Sequence, residues 1–133
     1  SLAAMLATLE RVMTPEAYAH MESLAGRLAA GLESVVARYA MPWHVVRVGA
    51  RVEFICAPGP LRNGTEAEAA HAPALEQALH LALLNRGCLI APFHNMMLVS
   101  PVTTERQVAS LVSAFESAVV SLAMEALPPG VLD

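Results

Sequence analysis

A chain of 133 residues has the length of one ordinary domain, enough to bury a core but short of the two large domains of most cofactor enzymes. It is 56% apolar and only 15% charged, whereas an average soluble domain is roughly a quarter charged. The net charge of -4 includes eight basic residues, all arginine and all scattered, so no basic cluster marks a nucleic-acid surface.

The apolar surplus needs a destination. The longest uncharged run, Gly87 to Thr104, is long enough to span a bilayer, but Pro92, His94, Asn95, Ser100 and Pro101 interrupt it and would leave backbone groups unpaired in hydrocarbon. No basic segment followed by an apolar one opens the chain, so a cytoplasmic protein without a membrane partner is expected. The surplus then points to a surface that packs against another domain or subunit. Cys56 and Cys88 are too few for a disulfide framework and lie in apolar runs, as free thiols do. The five histidines lack any metal-binding spacing, and no zinc site is expected.

In chain order, Leu2, Met5, Leu6, Leu9, Val12 and Met13 fall at helical spacing with only Ser1 to cap them, which reads as a helix continuing from something longer. Thr14-Pro15-Glu16 then supplies a cap, a proline at the first helical position and a first-turn acid. The stripe Tyr18, Met21, Leu24, Leu28, Leu32, Val35, Val36 and Tyr39 predicts a second helix, stopped by Met41-Pro42. From Trp43 the pattern alternates, turns at Gly49-Ala50 and alternates again from Arg51 to Cys56, predicting an antiparallel hairpin. Ala57 to Ala70, with Pro58-Gly59-Pro60, is expected to be the longest loop.

A third helix is predicted from about Pro73 to Arg86, with Gly87 ending it. Cys88 to Ala91 and Met97 to Ser100 read as short strands joined by Pro92-Phe93-His94-Asn95-Met96. Thr104 and Gln107 form a capping box for a last helix carrying Val108, Leu111, Val112, Phe115, Val119 and Leu122 on one face, until Pro128-Pro129-Gly130. The expected fold is α+β, a mainly antiparallel sheet of about four strands with helices on one face.

Several strings resemble the C-terminal part of the class III, or ornithine-aminotransferase-like, pyridoxal-phosphate enzymes, a family that includes glutamate-1-semialdehyde aminomutase. Arg47-Val48-Gly49-Ala50 with the strand to Cys56 is similar to the family's first hairpin. Arg62-Asn63-Gly64 resembles the loop after it, Asn85-Arg86-Gly87 a helix end, and Thr103-Thr104-Glu105 the start of the final helix. Pro92-Phe93-His94-Asn95-Met96-Met97 is closer to a β-amino-acid aminotransferase branch than to the aminomutase's usual Pro-Ser-Gln-Phe-Glu-Ala. The resemblance runs from about Leu2 to Leu122 and implies the small domain of a fold-type I pyridoxal-phosphate enzyme. On this division residues 1–13 end an inter-domain helix, 14–127 are the small domain, 128–133 are a tail, and the large cofactor-binding domain is absent.

The resemblance also says what is missing. The family's Schiff-base lysine, the aspartate at the pyridine nitrogen and the phosphate-binding amides all belong to the large domain. This chain contains no lysine, so no catalytic residue and no bound pyridoxal 5'-phosphate are expected in it; the parent would carry the cofactor and form a homodimer. What the small domain would supply is one wall of the substrate cleft. By the resemblance, His94, Asn95 and Met96 face the substrate, an imidazole and an amide offering hydrogen bonds and Met96 an adaptable apolar contact.

Plainer readings stand beside these. The turn at His94 and Asn95 can be a simple connection, Arg86 a helix C-terminal charge, and Arg47 and Arg51 cross-strand partners of Glu53. Met5, Met13 and Met21 read as core or interface, Trp43 as a packing anchor, Arg62-Asn63-Gly64 as a tight turn, and Glu66 and Glu68 as a solvated loop. For function, the leading expectation is a fragment of a class III aminotransferase acting between an amino acid, possibly a β-amino acid, and a keto acid. The alternatives are a fragment of an aminomutase and a stand-alone α+β binding or dimerisation module.

Overall fold

The computed structural model of the chain describes residues 1–91 and 94–125. Helix α1 spans Leu2–Arg11, and the Ser1 hydroxyl accepts from the Ala4 amide at 3.4 Å. None of its residues is buried. Helix α2, Pro15–Arg38, starts as expected at Thr14, whose hydroxyl accepts from the Ala17 amide at 3.2 Å. It buries Met21, Leu24, Ala25, Leu28, Ala29, Leu32, Val35 and Val36, whereas Tyr18 and Tyr39, at the ends of the predicted stripe, are exposed. Each large apolar side chain so buried contributes about 1.5–3 kcal/mol relative to exposure, so α2 is anchored and α1 is not.

Helix α2 ends at Arg38, short of the stop that Met41-Pro42 suggests. Ala40 adopts φ 49°, the Ala40 amide donates to the Ala37 carbonyl at 3.2 Å and the Met41 amide to the Val36 carbonyl at 3.0 Å. That is the Schellman closure, with alanine where glycine is usual. Strands β1 (His44–Val48) and β2 (Arg51–Ile55) pair antiparallel with Val48 opposite Arg51, so Gly49 and Ala50 form the predicted two-residue turn.

The loop expected over 57–70 is a loop only in its first part. Helix α3 occupies Gly64–Ala69. The Asn63 side chain accepts from the Glu66 amide at 3.0 Å, and the Glu66 carboxylate accepts from the Arg62 amide at 2.7 Å. An Asn-x-x-Glu capping signal outweighs the surrounding turn residues. Helix α4 runs Pro73–Leu84, and Gly87 (φ 78°) closes it as predicted: the Gly87 amide donates to Leu84 and the Cys88 amide to Leu83, both at 2.9 Å.

Among the described residues the expected sheet of about four strands has three, in the order β1-β2-β3, with β3 at Met96–Leu98. Residues 88–91 meet the sheet only at Ala91, whose amide donates to the Met96 carbonyl at 2.9 Å. The Cys88 amide is already used in closing α4, and a proline such as Pro92 has no N–H to give to a ladder. Pro92 and Phe93, like the proposed stop at Pro128-Pro129-Gly130, lie outside the described residues.

Helix α5, Glu105–Glu125, begins at the predicted capping box: the Thr104 amide donates to the Gln107 side chain at 2.8 Å and the Gln107 amide to the Thr104 hydroxyl at 3.3 Å. Helix α2 lies against β1, β2 and α5, and α4 lies against α5. The fold is therefore α+β, with α2 packed on a small antiparallel sheet and α5 and α4 layered beside it. Val52 and Phe54 point into the core with Met97, while Leu79 and Leu83 of α4 and Phe115, Ala118 and Val119 of α5 close it. At its centre Phe54 meets Phe115 at 4.8 Å between ring centroids, and Trp43 flanks both at 6.4 and 6.3 Å. Trp43 is thus the anchor its position predicted. Exposed pairs Arg27 with Glu105 and Arg38 with Glu116 link α2 to α5 and add little to this.

Candidate functional site

A strand has two faces, and the burial of Val52 and Phe54 sends Arg51, Glu53 and Ile55 to the other one. Glu53 sits in the middle of that outer face, in register with Val46 on β1 and Met96 on β3. The turn leading into β3 comes over the same region. Asn95 holds φ 45°, a backbone conformation asparagine tolerates better than most residues, and is only 6% exposed. His94 beside it is exposed.

His94 and Asn95 line a cleft of about 300 Å³ together with Arg51, Glu53, His71 and Glu76. Leu61 and Ile55 give it an apolar wall. Its charges are mostly engaged. The Arg51 guanidinium donates to Glu53 at 2.8 Å, and Glu76 accepts from the Ala72 amide at 3.2 Å and lies 3.5 Å from His71 Nδ1. Met96 does not join this cleft. It lines a separate apolar groove of about 430 Å³ with Leu28, Ile90, Met97, Val108 and Leu111. The three residues expected to act together are thus divided between a polar and an apolar recess.

Cys56, at the end of β2, is a free thiol held up at a pKa of about 12, first by burial and second by the charge of Glu76. Such a thiol is inert as a nucleophile at neutral pH. Cys88 is also free and also shifted up by burial. Among the described residues no group of three or more histidine, cysteine or acidic side chains is placed to hold a metal ion, and no helix is long and apolar enough to cross a membrane.

The remaining sequence candidates fall into structural roles. Arg86 donates to the Ala82 carbonyl at 2.9 Å, as a helix C-terminal charge should, and to the Ser121 hydroxyl at 3.1 Å, which ties α4 to α5. The cross-strand pairing expected of Arg47 and Arg51 is corrected: Arg51 pairs with Glu53 along its own strand, two residues on and on the same face, and Arg47 donates to the Gly49 carbonyl at 3.1 Å. Glu66 and Asn63 cap α3, and Glu68 is exposed. Met21 is core, while Met5 and Met13 are exposed with the rest of the α1 face.

Sequence reading missed His71, Glu76 and Leu61 as companions of Asn95. Strand alternation was enough to put Arg51 and Glu53 on one face, but the approach of α3 and the start of α4 to that face is a tertiary fact.

No family model matches the chain. A glutamate-1-semialdehyde 2,1-aminomutase from Thermomicrobium roseum is 35% identical over 92 residues, which are 69% of this chain and 21% of that protein. A solved structure of a glutamate-1-semialdehyde-aminomutase from Pseudomonas aeruginosa is 45% identical and superimposes with a TM-score of 0.89, covering 91% of this chain and 27% of that one. A β-phenylalanine aminotransferase from Variovorax paradoxus shares the fold, with a TM-score of 0.79 and 24% identity over 92% of this chain and 28% of its own. The chain thus spans about a quarter of the length of the proteins it matches. The α+β architecture and the alignments point the same way: the chain is similar in sequence and fold to part of the glutamate-1-semialdehyde aminomutases and shares its fold with aminotransferases.

Proposed function

We propose that this chain is the small-domain part of a pyridoxal-phosphate-dependent enzyme that transfers an amino group between an amino acid and a keto acid, and that the turn at His94 and Asn95 forms one wall of its substrate cleft. The 45% identity over 91% of the chain to an aminomutase solved with pyridoxamine phosphate supports the pyridoxal-phosphate part of this reading, and the string His94-Asn95-Met96 supports the transfer between two substrates. The chain's own residues do not fit the cofactor: none is a lysine, so no aldimine-forming side chain is present, and the cofactor of the parent is held elsewhere. What these residues do is line and close. Asn95 and His94 offer hydrogen bonds at the mouth of a polar cleft, and the apolar wall beside them keeps water from one side of a bound substrate.

In this reading the apolar face of α1, where Leu2, Met5, Leu6, Leu9, Val12 and Met13 are 42–80% exposed, packs against the rest of the same polypeptide. The matched proteins are several times longer than this chain, and a short helix without buried contacts is marginal in water. We place the intact enzyme in the cytoplasm as a homodimer.

A second reading, the intramolecular amino shift of an aminomutase, is favoured by the names of the relatives at 34–45% identity. The string His94-Asn95-Met96 favours transfer between two substrates. Assaying the longer protein with glutamate-1-semialdehyde and with amino-acid and keto-acid pairs separates them: faster isomerisation than transamination establishes the second reading. The 133-residue chain with added pyridoxal phosphate is expected to show no turnover. Transamination by that chain alone would overturn the assignment of its chemistry to a missing part.

A further inference from the structure

We propose that His44 is a positioning residue whose imidazole fastens the segment 57–61 and thereby sets Leu61 as a wall of the cleft that His94 and Asn95 also line. This deepens the reading of that turn as part of a substrate cleft, and rests on it for the ligand's being a substrate. His44 opens β1 opposite Ile55, so both stand on the outer face of the sheet. Ile55 lines the cleft and His44 does not. The ring therefore acts from behind the wall, through the chain that leaves β2.

Among the described residues, the segment 57–61 makes one hydrogen bond, from His44 Nδ1 to the Ala57 carbonyl at 2.7 Å. A carbonyl only accepts, so Nδ1 carries the proton and Nε2 of the neutral ring is bare. That Nε2 is buried and has no partner among the described residues. An apolar ring would fill the same space without an unpaired acceptor, so what the histidine adds is the bond to Ala57. Gly59 supplies an independent observation. A Cβ there would lie 2.5 Å from His44 Cγ and Cδ2, too close for either group to stay in place, so the Gly59 backbone seats directly on the imidazole. Beyond Leu61 the chain is fastened again, by the Arg62 amide on Glu66 at 2.7 Å, and α3 then brings Ala67 and Ala70 to the cleft. Leu61 thus hangs between two fixings, of which His44 is the one on the sheet.

The test compares His44→Phe, which keeps a ring and loses the donor, with His44→Asn, whose side-chain amide donates from near the Nδ1 position. Limited trypsin digestion of the 133-residue chain, with the fragment ending at Arg62 followed by mass spectrometry, reads local release of the segment. His44→Phe and Gly59→Ala are expected to speed that cut about fivefold relative to the cut after Arg27 within α2. His44→Asn should restore the slow cut, and the ring nitrogen-15 shifts of the unaltered chain should place the proton on Nδ1. In the longer protein His44→Phe should raise KM for the amino-acid substrate with kcat little changed, as a loss of uniform binding does, and His44→Asn should bring KM back. An unchanged cut after Arg62 in His44→Phe, a His44→Asn chain cut as fast as His44→Phe, or a proton on Nε2 alone overturns the proposal. If the cuts behave as expected and KM does not move, the reading of the cleft as a substrate site fails and the fastening stands. If KM moves while the cuts do not, the fastening fails and the cleft reading stands.

Discussion

Two helices of this chain end with the same backbone hydrogen bonds around different residues. At the end of α2 the left-handed position is Ala40, with φ 49°; at the end of α4 it is Gly87, with φ 78°. An L-residue in that conformation costs roughly 1–2 kcal/mol, and glycine avoids this at the expense of about 0.5–1 kcal/mol of unfolded-chain entropy. Ala40 is exposed, so its methyl packs on nothing that would be lost. A Cβ added at Gly87 would meet no atom within 4 Å, so conformation alone decides that site too. Ala40→Gly should therefore stabilise, and Gly87→Ala destabilise, each by about 0.5–1 kcal/mol. Trp43 is the one tryptophan and is buried, so its fluorescence during urea unfolding reads both changes as midpoint shifts of opposite sign at constant slope. A lower midpoint for Ala40→Gly, or a higher one for Gly87→Ala, would refute the assignment of strain to these two residues.

Other perturbations probe the core, the missed helix and the buried thiol. Phe115 is fully buried at the centre of the aromatic cluster, so Phe115→Ala should cost about 3–5 kcal/mol in the same urea assay; a loss below about 1 kcal/mol would place the core elsewhere. Asn63→Ala removes the cap of α3 and should cost about 1 kcal/mol locally, seen as faster amide hydrogen exchange over 64–69 with little change elsewhere. Cys56 titrates near 12 when folded, against an ordinary value of 9.0. Its thiol is protonated in both states below 9.0, and as pH rises from there the unfolded chain loses the proton first, so stability falls between about 9.0 and 12. Cys56→Ala should flatten that alkaline loss in a pH series of unfolding curves; an unchanged slope means the thiol is not buried as described.

Where a local signal and a buried face coincided, the fold was legible from the residues. The Thr14 cap, the Thr104 and Gln107 box and the Gly87 stop each mark an end that the structure keeps, and the stripes between them face the core. The hairpin followed from alternation and its two-residue turn. Failures came where one segment offered two uses. Residues 88–91 look like a strand by composition, yet the Cys88 amide serves the end of α4, which leaves only Ala91 to pair. Residues 57–70 look like a loop because of their prolines, yet Asn63 and Glu66 cap each other and start a helix. The resemblance placed His94, Asn95 and Met96 at one site. Their separation into a polar cleft and an apolar groove depends on which way successive residues leave the sheet, and on helices distant in sequence that wall each side.

Composition carried one further piece of information that the fold localises. A domain more apolar than average can place the surplus in its core or on its surface, and here much of it is on the surface. The core is closed by α2, α4, α5 and the sheet without any residue of α1. Leu89, Leu98 and Val102, around the apolar groove and the approach to α5, are each more than two-thirds exposed. Clusters of that kind are uncommon on surfaces that meet only water. The polar cleft at Asn95 and the apolar groove at Met96 adjoin the same turn, so a partner covering the groove would also fix the geometry of the turn. The proposed cleft wall at Asn95 and the apolar surface are then coupled through three consecutive residues, and a change at Met96 would be felt at both.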